Sequence, residues 1–85
     1  MKDKRYQKLF AKNLRYLIEE KGHSYRSLSR DANVPFSTIS SIIHGTDPTI
    51  GIAHKLSVAL GKTVDQMVTI DYEEANRHAF KYKKS

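Results

Sequence analysis

Residues 24–43, SYRSLSRDANVPFSTISSII, constrain the fold more than any other stretch of this chain. Their apolar side chains recur at the three- and four-residue spacing of a helix face, first as Leu28 with Ala32 and then as Ile39 with Ile42 and Ile43. Both stripes are short, and a break in the pattern separates them. The stretch therefore predicts two short helices, each with one face turned toward a core.

A tight turn is predicted between these helices. Asn33 is expected to adopt a positive φ, because its short amide tolerates the left-handed region better than most side chains. Val34 is then expected to point inward, and Pro35 to start the second helix, where its missing N–H is not needed. Ser24 is a suitable N-cap for the first of the two, since its hydroxyl can accept a bond from the first turn.

These features resemble the helix-turn-helix of the repressor-like (Cro/cI-type, XRE) family of DNA-binding proteins. Ser29 takes the place of the small residue in the family's motif, and Asn33 replaces the usual glycine of the turn. The motif's apolar positions are matched by Leu28, Ala32, Val34, Ile39 and Ile42. The resemblance covers roughly residues 5–68, and it implies an all-α domain whose third helix enters the major groove of DNA.

The rest of the chain predicts three more helices, which makes five in residues 1–69. The first helix is predicted from about Arg5 to Lys21, where apolar residues recur at helical spacing: Tyr6, Leu9, Phe10, Leu14, Leu17 and Ile18. Gly22 is expected to end it in the left-handed region. A fourth helix is predicted from Thr49 to Leu60, with Ile50, Ala53, Leu56, Ala59 and Leu60 facing the core. Thr63 and Gln66 have the spacing of a capping box, which predicts a short fifth helix.

Residues 70–85 form an extension beyond the resemblance. Tyr72, Ala75, Ala79 and Phe80 have roughly helical spacing, which favours a sixth helix packed on the domain or on a second subunit. A basic tail that frays is the other interpretation, because chain ends are often poorly ordered. The spacing alone leaves both interpretations open.

A pair of aliphatic residues replaces a charged pair of the family. The resemblance implies an Arg late in the first helix and a Glu late in the third, and the matching residues here are Ile18 and Ile43. Losing one charge would leave the other unpaired, whereas replacing both with aliphatic groups can be neutral or stabilising. We therefore predict that Ile18 and Ile43 touch in the core.

Charge and length limit the partners. The chain has 85 residues, which suits one domain, and 15 Lys and Arg against 9 Asp and Glu give a net charge of +6. This excess favours a polyanion such as nucleic acid, although solubility alone also explains it. The N-terminal residues lack the apolar run of a secretory signal, and no apolar run has the length of a membrane span. A cytoplasmic protein without disulfides is expected, since there is no cysteine.

Catalysis, metal binding and cofactor binding find no support in the sequence. The four histidines are scattered, with no HExxH pair, and no nucleophile elbow surrounds a serine. A glycine-rich phosphate loop is also missing. The chain is predicted not to be an enzyme and to need no cofactor.

The resemblance implies which residues meet double-stranded DNA. In related domains the first turn of the third helix and the turn after it read base edges, and these positions hold Phe36, Ser37, Thr38, Ser40 and Ser41. In an alternative interpretation, Phe36 lies against Tyr25 or Val34 and makes no contact with a base. The expected contacts to the DNA backbone are Arg15, Ser24, Tyr25, Arg26, His44, Gly45, Thr46 and Lys55.

The resemblance implies a sequence-specific transcriptional regulator, most often a repressor, that acts as a dimer. The candidate dimer surface is the fifth helix with residues 70–82. The alternative is a protein-interaction module, such as an antitoxin or accessory regulator, because the third helix has no Arg, Gln or Asn to read bases. RNA binding has only the net charge in its favour, since no aromatic stacking platform is evident.

Overall fold

The computed structural model describes residues 4–77, and every regular element in this range is a helix. The first five are α1 (Lys4–Glu20), α2 (Tyr25–Ala32), α3 (Phe36–Ile43), α4 (Ile50–Ala59) and α5 (Val64–Thr69). A sixth, α6, covers residues 72–77. The predicted all-α fold is confirmed, and the predicted ends of α1 and α4 lie within one residue of those observed. None of the helices in residues 4–77 is long and apolar enough to cross a membrane.

One core cluster joins the helices, and both predicted stripes contribute to it. Leu28 and Ala32 of α2 and Ile39 and Ile42 of α3 are buried. The other core residues are Phe10, Leu14, Leu17, Ile18, Val34, Ala53, Leu56, Leu60 and Met67. Ile43 is only half-buried, at the edge of this cluster. Its predicted contact with the buried Ile18 stays a prediction.

Two predicted core residues are in fact exposed. Tyr6 is 46% exposed and Ile50 is 78% exposed. Both lie in the first turn of a helix, where a side chain leans back over the residues that precede the helix rather than over its buried face. In α1 the buried stripe begins one turn later, at Phe10, and in α4 it begins at Ala53. The sequence pattern was therefore wrong for the burial of side chains in the first turns of α1 and α4 and correct for the middles of these helices.

The turn between α2 and α3 has the predicted conformation. Asn33 adopts φ 55° and ψ 48°, and its N–H donates to the carbonyl of Arg30. The N–H of the buried Val34 donates to the carbonyl of Ser29 at 3.1 Å, and the Ser29 hydroxyl donates to the carbonyl of Val34 at 2.6 Å. Ser29 therefore closes the turn from both sides, which explains why a small hydroxyl residue suits this position.

The caps of these two helices were predicted with one error. Ser24 caps α2 by accepting the N–H of Ser27, whose hydroxyl in turn accepts the N–H of Ser24. Pro35 is the N-cap of α3 with ψ 142°, not its first helical residue. Its extended backbone still directs its carbonyl into the helix, where it accepts the N–H groups of Thr38 and Ile39. The missing N–H of proline therefore falls one residue before the helix begins.

We expect Asn33→Ala to lower the free energy of unfolding by about 1 kcal/mol, because alanine pays the steric penalty of the left-handed region without asparagine's tolerance for it. Asn33→Gly is the matched control and should be neutral or slightly stabilising, since glycine adopts a positive φ freely. Urea unfolding of the three proteins measures the difference. Equal stability of the alanine and glycine variants would contradict the prediction.

The extension continues the fold as far as residue 77. Asn13 of α1 is fully buried, and its amide donates to the carbonyls of Met67 at 2.9 Å and Ile70 at 2.6 Å. Its carbonyl oxygen accepts the N–H of Tyr72, the first residue of α6, at 3.0 Å. Of the two interpretations of the extension, the sixth helix is thus confirmed for residues 72–77. The predicted helix positions Ala79 and Phe80 lie outside the described residues.

A salt bridge also joins α1 to the start of α6, the α5–α6 corner. Lys12 lies 2.7 Å from the carboxylate of Asp71 and 3.7 Å from that of Glu73. Asp71 also accepts the N–H of Glu74 at 3.1 Å, so it caps the start of α6. The ammonium group of Lys12, followed by the Glu74 N–H, lowers the pKa of Asp71 below its ordinary value of 3.8. Asp71 in turn raises the pKa of Lys12.

We expect this lowered pKa to make the fold acid-sensitive. Since folded Asp71 binds protons less readily than unfolded Asp71, its contribution to stability is present above about pH 4 and is lost as the pH falls through the folded-state pKa. Asp71→Asn is the matched variant, because asparagine also caps a helix but carries no charge. Thermal melts between pH 7 and pH 3 should show a flatter acid decline for the variant. Parallel declines would contradict the prediction.

Candidate nucleic-acid interface

Hydroxyl groups line the outer face of α3. A groove of about 260 Å³, which we call the hydroxyl groove, runs between this face and the start of α4, and Ser37, Thr38 and Ser41 lie along it. The rest of its lining is Ile42, Thr46, Asp47, Pro48, Thr49 and Ile52. Three of the five predicted base-reading residues are thus brought together, and the predicted backbone contact Thr46 lies beside them. Ser40 does not line this groove: it is half-buried, and its carbonyl accepts the Nδ1–H of His44 at 2.7 Å.

Phe36 begins α3 as part of an aromatic cluster. The residue is 44% exposed, and its ring lies 6.2 Å, centroid to centroid, from the ring of Tyr25 at an angle of 49°. The guanidinium carbon of Arg26 lies 5.3 Å from the centroid of the Phe36 ring. The predicted packing of Phe36 against Tyr25 is confirmed, while much of its ring still faces outward. We call Tyr25, Arg26 and Phe36 the aromatic–arginine cluster.

A second groove, of about 410 Å³, lies between α1 and the end of α3. It brings together three of the predicted backbone contacts, Arg15, His44 and Gly45. The side-chain amide of Gln7 donates to the carbonyl of Gly45 and so ties α1 to the residues that follow α3. The rest of the lining is Lys4, Gln7, Lys8, Ala11, Lys12 and Ile43.

Sequence reasoning missed the lysines of this groove. Lys4, Lys8, Lys12 and Arg15 are four, four and three residues apart, which places them on one face of a helix. That spacing was the available signal, but of these four residues only Arg15 was predicted to contact DNA. Lys12 is engaged by Asp71 and Glu73, so it adds less positive potential to the groove than its neighbours do.

Comparison with known proteins identifies the family. The model of a helix-turn-helix family matches residues 14–67, which is more than half of the chain and includes α2, the turn and α3. The chain belongs to this family, that of the Cro/cI-type (XRE) DNA-binding regulators. No curated protein matches the chain. No solved structure matches it either.

Two helix N-termini of this helix-turn-helix protein lie next to the aromatic–arginine cluster. The first N–H groups of α2 and α3 have no partner within their own helices, and the helix dipole makes both ends slightly positive. Tyr25 and Arg26 open α2, while Phe36 and Ser37 open α3. This arrangement suits phosphate oxygens, which helix N-termini bind readily.

The remaining predicted contacts of the helix-turn-helix protein are less well grouped. The Ser24 hydroxyl accepts the N–H of Ser27 as the cap of α2, and its single O–H donor remains available to a phosphate oxygen. Lys55 is exposed on α4 and lines neither of the two grooves. Its inclusion among the backbone contacts therefore depends on the family resemblance alone.

Proposed function

We propose that this protein is a transcriptional repressor that inserts α3 into the major groove of an operator as a homodimer. The hydroxyl-lined outer face of α3 is the observation that carries the proposal: Ser37 and Ser41 are exposed one turn apart, with Thr38 beside them. Only the major groove is wide enough for a helix and displays a distinct pattern for each base pair. The net charge of +6 supplies the attraction to DNA.

Direct readout by this face is modest. Serine and threonine hydroxyls bond to several kinds of base edge, and α3 has no Arg, Gln or Asn side chain for a bidentate contact. The exposed part of Phe36 suits the methyl group of thymine, which biases recognition toward A·T pairs. The shape and deformability of the operator supply part of the specificity.

Phosphate contacts supply most of the affinity in this proposal. Arg15, His44 and Gly45 approach one stretch of the backbone from the groove beside α1, and Thr46 approaches it from the other groove. Ser24, Tyr25 and the N-terminal N–H groups of α2 meet a second stretch, and Lys55 adds a more distant charge. Affinity should therefore fall steeply with salt, with a slope of roughly −0.9 per neutralised phosphate in a plot of log K against log salt.

In vitro selection of bound DNA at moderate salt tests the proposal. A palindromic consensus with half-sites about 34 Å apart is the expected result, because a symmetric dimer places its two α3 helices one turn of the DNA double helix apart. Failure to enrich any sequence would refute the proposal.

Alanine variants then test direct readout on the selected operator. Ser37→Ala and Ser41→Ala should lose affinity for the consensus and lose less on operators with one altered base pair. Ser40→Ala is the matched control, since this half-buried serine lies on the same helix but does not line the hydroxyl groove. Equal losses on all sequences would refute direct readout by these serines.

The proposed dimer surface is α5 with residues 70–82, on which Ile70 is 38% exposed. Deleting residues 78–85 tests the distal part without removing Asp71 and Tyr72, which are bonded to α1. Light scattering should show a dimer for the full chain and a smaller assembly for residues 1–77. An unchanged mass would refute a role for residues 78–85. The domain boundary at residue 69 stays a prediction.

A second candidate is a protein-interaction module, such as an antitoxin or accessory regulator. The specific observation in its favour is the α3 sequence FSTISSII, which offers none of the side chains that discriminate bases best. A co-purifying partner that binds tightly, together with no salt-sensitive DNA binding, would favour this function over the repressor.

A further inference from the structure

A guanidinium group stands at the start of α3 although α3 itself contains no arginine. Arg26 belongs to the first turn of α2, yet its guanidinium carbon lies 5.3 Å from the centroid of the Phe36 ring. Phe36 is the first residue of α3, and its ring packs against that of Tyr25, with the two centroids 6.2 Å apart. The side chain of Arg26 therefore leans across the turn toward the helix that faces the major groove in the proposed function.

The environment of Arg26 holds its side chain without neutralising it. Among the described residues, no carboxylate forms a salt bridge with Arg26, whereas Arg77 is paired with Glu73 at 3.8 Å and Glu74 at 3.4 Å. A cation above an aromatic face is attracted by the ring but keeps its charge and its N–H donors. Arg26 is exposed, so these donors remain available to a ligand.

We propose that Arg26 reads a guanine through its two parallel N–H donors while Phe36 packs against the thymine methyl of the adjacent base pair. The inference rests on the proposed function and changes the role of Arg26 from the backbone contact expected from the sequence to a specificity-determining contact. Guanine presents two acceptors, O6 and N7, in the major groove, and the planar fork of arginine matches both. α3 then needs no arginine of its own, because α2 supplies it.

Phe36 and Tyr25 have different tasks in this arrangement. Phe36 touches both the guanidinium and the thymine methyl, so one ring fixes the spacing between the two base contacts. Tyr25 is a positioning residue, because its ring packs against the Phe36 ring and limits how far that ring can tilt. The operator should therefore contain guanine and thymine at neighbouring positions where the first turn of α3 enters the groove.

Modified bases in the selected operator test the proposal atom by atom with the full chain. Replacing the guanine with 7-deazaguanine removes the N7 acceptor and should weaken binding of the unaltered protein at least about tenfold, since hydrogen bonds to charged groups are strong. Replacing the neighbouring thymine with deoxyuridine removes only the methyl and should also weaken binding. The affinity of Arg26→Ala should not change when 7-deazaguanine replaces the guanine. The affinity of Phe36→Leu should fall less than that of the unaltered protein when deoxyuridine replaces the thymine.

Arg26→Lys separates base reading from phosphate binding, because lysine keeps the charge but has no planar fork. It should lose about 5-fold to 150-fold of the preference for guanine, the range expected for one bidentate contact. Arg30→Ala is the matched control, since Arg30 is an exposed arginine of α2 outside the aromatic–arginine cluster. It should keep the guanine preference. Thermal melts confirm that each variant is folded.

Three outcomes are distinguishable. Loss of the guanine preference in both Arg26 variants, together with the 7-deazaguanine effect, supports the inference. A uniform loss of affinity on all sequences in Arg26→Ala, with normal binding by Arg26→Lys and no 7-deazaguanine effect, identifies a phosphate contact and overturns it while the proposed function stands. Absence of any selected DNA sequence with the unaltered protein overturns the proposed function itself.

Discussion

Ser41→Glu is expected to reduce operator affinity by about 100-fold or more while leaving the fold intact. Ser41 is exposed on α3 and lines the hydroxyl groove, so glutamate there would face the phosphates and base acceptors of DNA. Like charges brought together across an interface cost several kcal/mol, and every 1.4 kcal/mol is about a factor of ten in affinity. This is the largest functional effect that a single exposed side chain of the protein should produce.

The fold should tolerate this substitution because the Ser41 side chain makes no hydrogen bond within the described residues. Ser41 takes part in the end of α3 only through its backbone carbonyl, which accepts the N–H of Thr46 at 2.9 Å and is unchanged by the substitution. Glutamate is also a better helix former than serine. Circular dichroism melts should therefore agree within about 0.5 kcal/mol, the usual limit for surface substitutions.

His54→Glu is the matched control for the loss of affinity. His54 is exposed on α4 and lines neither groove, and the substitution introduces the same single negative charge. Fluorescence anisotropy on the selected operator should show only a small loss, mostly through the overall charge. If both variants lose affinity equally, net charge rather than the α3 face governs binding, and insertion of α3 into the groove is contradicted.

Local spacing predicted the parts of this fold that depend on local bonds. The caps at Ser24 and Thr63 and the left-handed turn at Asn33 involve partners within four residues, so their residue types are sufficient to identify them. Ile50 was misassigned because a first-turn side chain leans back over the residues that precede the helix, which the spacing of apolar residues does not encode. The buried face in the middle of a helix can be predicted from the sequence, whereas the burial of its first-turn side chains cannot.

The side chains that sequence reasoning missed have partners distant in the sequence. Asn13 bonds to residues 54 to 59 positions away, and in the sequence it is one polar residue among others in α1. Arg26 meets Phe36 across the turn, and the role of that contact depends on where the guanidinium points. The residue types on the α3 face were predictable, whereas the arginine supplied by α2 required three-dimensional placement.

Asn13→Ala is expected to lower the free energy of unfolding by about 2–4 kcal/mol, the largest stability effect predicted for the chain. The substitution leaves the carbonyls of Met67 and Ile70 and the N–H of Tyr72 without the partner that now satisfies all three. A loss of this size corresponds to roughly 8–32 °C in melting temperature for a domain of this length. Arg15→Ala, on the exposed face of the same helix, should change stability by less than about 0.5 kcal/mol.

Asn13→Asp distinguishes hydrogen bonding from packing, because aspartate has nearly the same shape. It keeps an acceptor for the Tyr72 N–H but turns an oxygen toward the two carbonyls at 2.6 and 2.9 Å. Burial and these carbonyls should raise the pKa of the new carboxyl, so its folded form binds protons more readily and stability rises as the pH falls from 7 toward 5. That trend is opposite to the acid sensitivity expected from Asp71. If Asn13→Asp is as stable as the unaltered protein at pH 7, the amide donors do not hold the α5–α6 corner.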